Sequence, residues 1–157
     1  MSKPKANQQF LDEVRGPLFT PRFIVAIALM VLGIAWLAFY YTVVRVDPNL
    51  VVDVPKPGGP GFMQDLGRWN YLIGFGLFML GLAVSAHPVT PLGRGRGVVI
   101  GMLGCFLVGL LWICVFYLFS NTDHAGGIPI MNDLDQYNLV VGIAFMAVGF
   151  TFATRWE

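Results

Sequence analysis

Four long stretches of the chain contain no charged residue, and they determine its predicted architecture. They run over 23–44, 69–86, 97–122 and 136–154. A helix that crosses a bilayer needs roughly 20 mostly apolar residues, because lipid offers no hydrogen-bond partner to an exposed backbone amide. The four stretches are apolar on all sides, whereas the surface helices of a soluble domain are amphipathic. The sequence therefore predicts an all-α integral membrane protein with four transmembrane helices.

Composition supports a membrane protein, and the distribution of charge indicates how the chain is oriented in the membrane. Only 12% of the residues are charged and 56% are hydrophobic, whereas a soluble domain has about 25% charged residues. With four spans, both termini lie on the same side as the middle loop. That side carries Lys3, Lys5, Arg15, Arg22, Arg94, Arg96 and Arg155, and the other carries Arg45, Lys56 and Arg68. The positive-inside rule predicts a plasma-membrane protein with cytoplasmic N- and C-termini.

These boundaries divide the chain into two helical hairpins with short cytoplasmic segments. A cytoplasmic N-terminal segment (1–22) precedes the first hairpin (23–86), which has spans 23–44 and 69–86 and an external loop 45–68. A cytoplasmic loop (87–96) leads to the second hairpin (97–154), which has spans 97–122 and 136–154 and an external loop 123–135. A cytoplasmic tail (155–157) follows. The polar first segment predicts no cleavable signal peptide.

The two hairpins repeat the same sequence pattern. DLGRWNYLIGFGLFMLG at 65–81 corresponds to DLDQYNLVVGIAFMAVG at 133–149, and MVLGIAWLAFYY at 30–41 corresponds to FLVGLLWICVFY at 106–117. Matched Asp, Asn, Trp and Gly positions indicate a tandem duplication. Each copy has two spans, so the repeat is parallel rather than inverted. The first external loop is longer, and its PKPGGPG run (55–61) is where we place the extra residues.

Repeated polar and aromatic residues stand where each external loop enters the next helix. They are Asp65, Trp69, Asn70, Asp133, Tyr137 and Asn138. For the Asp and Asn residues the favoured interpretation is capping of the helix N-terminus, and the alternative is a polar contact with a partner's external domain. For the aromatic residues the favoured interpretation is an interfacial belt, and the alternative is a recognition surface.

Small residues form stripes at helical spacing on three of the predicted spans. The stripes are Gly97, Gly101, Cys105 and Gly109 on the third span, Gly74 and Gly81 on the second, and Gly142 and Gly149 on the fourth. Small residues let helices approach closely in lipid, where van der Waals packing drives association. The stripes are predicted to pack the helices together or to bind a partner. The stripe of the third span has no full counterpart in the first, so we expect it to form the seam between the hairpins or a docking face.

The sequence offers little for catalysis. No ionisable residue lies inside a predicted span, which argues against a proton relay or an ion pathway. His87 and His124 fall on opposite sides of the membrane, so they cannot ligate one haem. Cys105 and Cys114 lie nine residues apart in one helix, without metal-binding spacing. We therefore expect no enzyme activity, no catalytic residue, no cofactor, no metal site and no nucleic-acid partner.

Two segments of the second hairpin resemble a known family. CFLVGLLWICVFY at 105–117 and LDQYNLVVGIAFMAVGFTFATRWE at 134–157 are similar to the CrgA family of actinobacterial division-associated membrane proteins, and 30–41 with 66–82 resemble it too. That family usually has one hairpin, whereas this chain has two. The resemblance implies a non-enzymatic scaffold or accessory protein that binds division and peptidoglycan proteins in a lipid membrane.

A different class of function satisfies the same pattern. A structural accessory subunit of a respiratory oxidase complex or supercomplex would also have lipid-exposed stripes and no chemistry of its own. Both hypotheses predict other integral membrane proteins as partners.

Overall fold

The computed structural model describes residues 17–46, 58–120 and 128–154, and within these ranges the chain is helical and has no strand. The helices are α1 (Pro21–Phe39, continued by a π-helical turn at Tyr40–Val44), α2 (Gly61–Leu66), α3 (Trp69–Ser85), α4 (Arg96–Ser120), α5 (Met131–Leu134) and α6 (Tyr137–Ala153). The prediction of an all-α protein is confirmed. The short helices α2 and α5, inside the predicted external loops, were not expected.

The four long helices have the composition of membrane segments. Pro21–Val44 and Arg96–Phe119 are both long enough and apolar enough to cross a membrane. Helices α3 and α6 are equally apolar but have 17 residues each, so each is about 25 Å long against a hydrocarbon core of about 30 Å. All four are compatible with membrane spans.

The distribution of side chains is the reverse of that in a soluble protein. Large apolar residues such as Val31, Ile100 and Phe150 have more than half of their surface exposed, while Asn70 and Asn138 are fully buried. Soluble proteins rarely expose such continuous apolar surface. In lipid this outer surface has a favourable environment, and the buried amides avoid an uncompensated contact with hydrocarbon.

Glycine pairs hold each hairpin together at its centre. Helix α1 packs on α3, and α4 packs on α6. A Cβ atom on Gly33 would lie 2.6 Å from the carbonyl oxygen of Gly74, and one on Gly109 would lie 2.6 Å from the carbonyl oxygen of Gly142. Any side chain at Gly33 or Gly109 would therefore push the helices apart. The two hairpins use the same close contact at corresponding positions.

Aromatic residues, rather than the small-residue stripes, form the seam where α3 meets α6. Phe78 of α3 contacts Phe145 of α6 with ring centroids 6.1 Å apart, and Phe75 of α3 contacts Trp112 of the neighbouring α4 at 5.6 Å. Gly101, Cys105 and Gly109 of α4 face α6 inside their own hairpin, where a Cβ on Gly101 would strike the Phe152 ring. Gly97 faces the loop at Pro91 and Leu92 instead. The expectation that this stripe forms the seam or a docking face is therefore wrong. The expectation rested on the lack of a matching small-residue stripe in α1. The small residue of α4 at Gly101 instead leaves room for the Phe152 ring.

The fit of Phe152 against Gly101 gives a testable consequence. Phe152 is fully buried, so Gly101→Leu should lower the free energy of unfolding by about 1–3 kcal/mol through overpacking. The measurement is SDS-induced unfolding in mixed micelles. Val25 stands at the corresponding position of α1 and is 52% exposed, so Val25→Leu is the matched control and should change little. Equal effects of the two substitutions would contradict this packing.

Candidate functional site

The polar side chains of the two hairpins converge at the end of the bundle that carries Asn70 and Asn138, here termed the Asn end. Asn70 Nδ2 donates hydrogen bonds to the carbonyl oxygens of Met63 (2.7 Å) and Gly67 (2.9 Å). The bonds of Asn138 in the second hairpin are the same, with Nδ2 donating to the carbonyl oxygens of Met131 (2.7 Å) and Asp135 (2.9 Å). Each Asn amide therefore ties a short helix to the long helix that follows it.

A sharp turn precedes each of these asparagines. Gly67 has φ 48° and Asp135 has φ 46°, so both adopt a backbone conformation that L-residues rarely take. The turn directs the chain from α2 into α3 and from α5 into α6. The asparagine side chains bond to the carbonyl oxygens of Met63 and Met131, and they share those of Gly67 and Asp135 with the backbone N–H groups of Asn70 and Asn138.

The predicted capping role does not hold at α3 and α6, although Asp133 lies in the first turn of the short helix α5. Neither α3 nor α6 has a side-chain hydrogen bond at its N-cap or an acidic residue in its first turn. The amides donate to carbonyl groups behind them instead of accepting from the N–H groups ahead. Asp65 is exposed, and Asp133 is engaged elsewhere. The short helices α2 and α5 before each turn account for the difference, because they place the carbonyl groups of Met63 and Met131 within reach of the two Asn side chains.

One hydrogen bond distinguishes the two hairpins. Trp112 Nε1 donates to Asn138 Oδ1 at 3.2 Å, so both Nδ2 and Oδ1 of the Asn138 side chain are hydrogen-bonded. The corresponding atoms of the first hairpin, Trp36 Nε1 and Asn70 Oδ1, are buried without a hydrogen-bond partner among the described residues. The Trp and Asn side-chain polar atoms of the second hairpin are therefore better hydrogen-bonded than those of the first.

An ion pair joins the hairpins at the Asn end. Arg45, directly after α1, donates Nε to Asp133 Oδ2 and Nη2 to Asp133 Oδ1, the latter at 2.7 Å. Tyr71 of α3 donates its hydroxyl to the same carboxylate. The side chains of Arg45 and Asp133 are only 14% and 12% exposed. Two residues of the first hairpin thus hold one carboxylate of the second.

The surroundings of Arg45 reinforce this link. The hydrogen bond to Asp133 raises the pKa of the Arg45 guanidinium, and the guanidinium lies 4.7 Å from the centroid of the Tyr41 ring. A bidentate, charge-assisted pair fixes orientation as well as distance. From the sequence, Arg45 is only one of the basic residues that are counted to assign the membrane orientation. Its position directly after the first span, on the side of the acidic external loops, is the one indication that it could pair with a carboxylate there.

The remaining predicted residues of the Asn end lie on its surface. Trp69 and Tyr137, which correspond in the repeat, are 65% and 62% exposed. Arg68 Nη1 lies 3.6 Å from Asp135 Oδ2 across the two hairpins, and both side chains are mostly exposed. Together with Asp65, these residues form an exposed polar and aromatic surface, here termed the rim.

Catalytic and metal-binding groups do not assemble in the described part of the chain. No three His, Cys, Asp or Glu residues there lie close enough together to hold a metal ion. Cys105 is buried and Cys114 is exposed, and both are free thiols. His124 and the start of the PKPGGPG run (55–57) lie outside the described residues.

Comparisons with known proteins agree on one family. The sequence profile described as "Cell division protein CrgA" matches residues 3–87 and 92–157. A cell division protein CrgA from Streptomyces avermitilis is 50% identical over 56 residues, which cover 36% of this chain and 60% of that protein. The CrgA from Corynebacterium glutamicum is 39% identical over 62 residues, which cover 40% of this chain and 54% of that protein. The CrgA from Bifidobacterium longum is 28% identical over 88 residues, which cover 54% of this chain and 73% of that protein.

These matches cover the first two relatives only in part. The chain spans 54–60% of the length of the Streptomyces and Corynebacterium proteins. No solved structure matches the chain. The family profile nevertheless extends over both hairpins, and the three organisms named are actinobacteria. On this basis the chain belongs to the CrgA family of cell division proteins.

Proposed function

We propose that the chain is a non-catalytic protein of the plasma membrane that binds and stabilises larger membrane assemblies of the division machinery. The observation that carries this proposal is the family match over both hairpins. The geometry supports it, because the Arg45, Asp133 and Asn138 side chains at the Asn end bond to the protein itself. Asn138 and Asp133, for example, hold turns and hairpins in place. Their role is to maintain a surface.

Two kinds of surface are available to partners. The outer faces of the long helices expose apolar residues such as Val31 and Leu107, and these suit the transmembrane helices of other proteins. The rim adds exposed aromatic and charged groups around Trp69 and Tyr137, which suit a partner's external domain. Aromatic residues are enriched where protein interfaces are strongest.

The repeat gives this arrangement a further property. If the two hairpins arose by tandem duplication, one chain carries two related copies of the same docking surface in parallel orientation. A partner with two binding elements would then gain from the high effective concentration of the second site. The Arg45–Asp133 pair would keep the two copies in a fixed relation.

The proposed topology has four spans and cytoplasmic termini. A reporter that is active in the cytoplasm should work when fused at Gly95 or Glu157, and an exported reporter should work at Gly59 or Gly126. The reason is the concentration of basic residues on the side of the termini and the middle loop. An exported reporter that is active at Glu157 would contradict this orientation.

Localisation in living cells tests the proposed role. A fluorescent fusion of the chain should concentrate at the division septum of an actinobacterial host. Trp69→Ser combined with Tyr137→Ser should reduce septal enrichment while the amount of protein in the membrane stays constant. Phe19 is 75% exposed at the opposite end of the bundle, so Phe19→Ser is the control and should leave enrichment unchanged. A uniform distribution of the unmodified chain would contradict a division role.

The respiratory hypothesis has no support among these matches, since the relatives named are cell division proteins. It predicts an even distribution along the membrane, so the same imaging experiment distinguishes the two.

A further inference from the structure

A groove lies between α3 and α6 at the end of the bundle opposite to the Asn end. Its volume is about 610 Å³, within the range of ligand-binding clefts, which is about 300–1,000 Å³. Alanine residues leave this space, with Ala83 and Ala86 on one side and Ala147 on the other. The groove is open to the surface that would face lipid.

The two ends of the groove differ in polarity. Arg22 and His87 lie at its outer end, where Arg22 Nη1 is 3.2 Å from His87 Nδ1. Thr154, at the C-terminal end of α6, is also part of this outer end. Ala147 lies about 10 Å deeper along the same helix, at 1.5 Å per residue. The groove is therefore cationic and polar at its mouth and apolar below.

We propose that this groove binds one anionic phospholipid, with the phosphate at Arg22 and an acyl chain along Ala83 and Ala147. A phosphate accepts charge-assisted hydrogen bonds from a guanidinium, and basic pockets between transmembrane helices are a known mode of binding anionic headgroups. Among the described residues no carboxylate pairs with Arg22. Arg94 lies in the adjoining loop and Arg96 begins α4, so further basic residues stand at the same end of the bundle.

A phospholipid fits these features better than a partner helix does. A helix with its side chains is about 10–12 Å wide and apolar throughout its membrane portion. It would have to lie against the Arg22 guanidinium without offering it a charge. A phospholipid provides an anion at the depth of Arg22 and hydrocarbon at the depth of Ala147. The proposal requires membrane insertion but does not depend on the division partners.

Native mass spectrometry of the full-length chain tests the proposal. The protein is purified in detergent, incubated with equal amounts of phosphatidylglycerol and phosphatidylcholine, and analysed for retained lipid. We expect one retained phosphatidylglycerol in preference to phosphatidylcholine. Arg22→Gln should lower this retention about fivefold, the equivalent of about 1 kcal/mol for one cation near a membrane surface. Arg68→Gln, at the Asn end, is the charge-matched control and should leave retention unchanged.

A second pair of variants tests the acyl-chain part of the groove. Ala147→Phe fills the space between α3 and α6 and should abolish the retention of phosphatidylglycerol. Ile143 lies one turn earlier on α6, is 51% exposed and does not line the groove, so Ile143→Phe, which introduces the same ring outside the groove, is the control. Circular dichroism and SDS-induced unfolding establish that each variant is folded.

Three results would overturn the proposal. The first is equal retention of both lipids by the unmodified chain. The second is unchanged phosphatidylglycerol retention in folded Arg22→Gln or Ala147→Phe. The third is that the unmodified chain retains no lipid but binds another membrane protein, and that Ala147→Phe abolishes this binding. A partner helix would then occupy the groove.

Discussion

Asp133→Ala is expected to lower the free energy of unfolding by about 3 kcal/mol, because it removes the carboxylate that binds the largely buried Arg45 guanidinium through two hydrogen bonds. The guanidinium is only 14% exposed, so water cannot fully replace the lost carboxylate. Tyr71 loses its hydrogen-bond acceptor in the same step. The measurement is SDS-induced unfolding in mixed micelles.

The chain contains two matched controls for this substitution. Asp65 corresponds to Asp133 in the repeat but is exposed, so Asp65→Ala should change the free energy of unfolding by less than about 0.5 kcal/mol. Asp135 pairs with Arg68 at an exposed position, so Asp135→Asn should cost at most about 1 kcal/mol.

A double substitution separates the charge effect from a simple loss of packing. Arg45→Ala combined with Asp133→Ala removes both charges, so no uncompensated charge stays behind. The double variant should therefore lose less stability than the sum of the two single variants. A loss in Asp133→Ala no larger than in Asp65→Ala would show that the pair does not join the hairpins.

Asn138→Ala is expected to lower the free energy of unfolding by about 3 kcal/mol, since it leaves two polar groups without a partner. They are the carbonyl group of Met131 and Trp112 Nε1, whereas the carbonyl group of Asp135 keeps its bond from the backbone N–H of Asn138. Asn70→Ala leaves only the carbonyl group of Met63 unpaired, so its cost should be about 2 kcal/mol. The difference reports the Trp–Asn bond of the second hairpin.

The two tryptophans provide an independent measure of the same bond. Trp112→Phe should cost about 1 kcal/mol, because Asn138 Oδ1 loses its donor. Trp36→Phe should have a smaller effect, since Trp36 Nε1 has no partner within the described part of the chain. SDS-induced unfolding serves for both. Equal losses for the two tryptophan variants, together with equal losses for the two asparagine variants, would contradict the difference between the hairpins.

The helices were predictable because the apolar stretches are interrupted only at charged residues. Pro21 and Thr20 mark the start of α1 in the usual way, with Thr20 Oγ1 accepting from the Phe23 N–H. The repeated glycines also indicated close packing, and Gly33 and Gly109 lie where a Cβ would strike a neighbouring backbone. Local patterns were sufficient for these features.

The site was less predictable because it depends on contacts between distant residues. Arg45 and Asp133 are 88 positions apart, and no local pattern pairs them. The role of Asn138 depends on the positive φ of Asp135, which an Asp residue does not signal. The one indication in the sequence is Gly67 at the corresponding position of the first hairpin, since Gly readily adopts a positive φ. The partner of Gly101 was misjudged for a similar reason, since Phe152 lies on another helix.

Purification of the native complex tests the central claim most directly. The tagged full-length chain is isolated from membranes of an actinobacterial host in a mild detergent, and its partners are identified by mass spectrometry. We predict the recovery of membrane proteins of division and peptidoglycan synthesis, and a lower recovery with Trp69→Ser combined with Tyr137→Ser. Recovery of cytochrome oxidase subunits in their place would contradict the account and favour a respiratory accessory subunit.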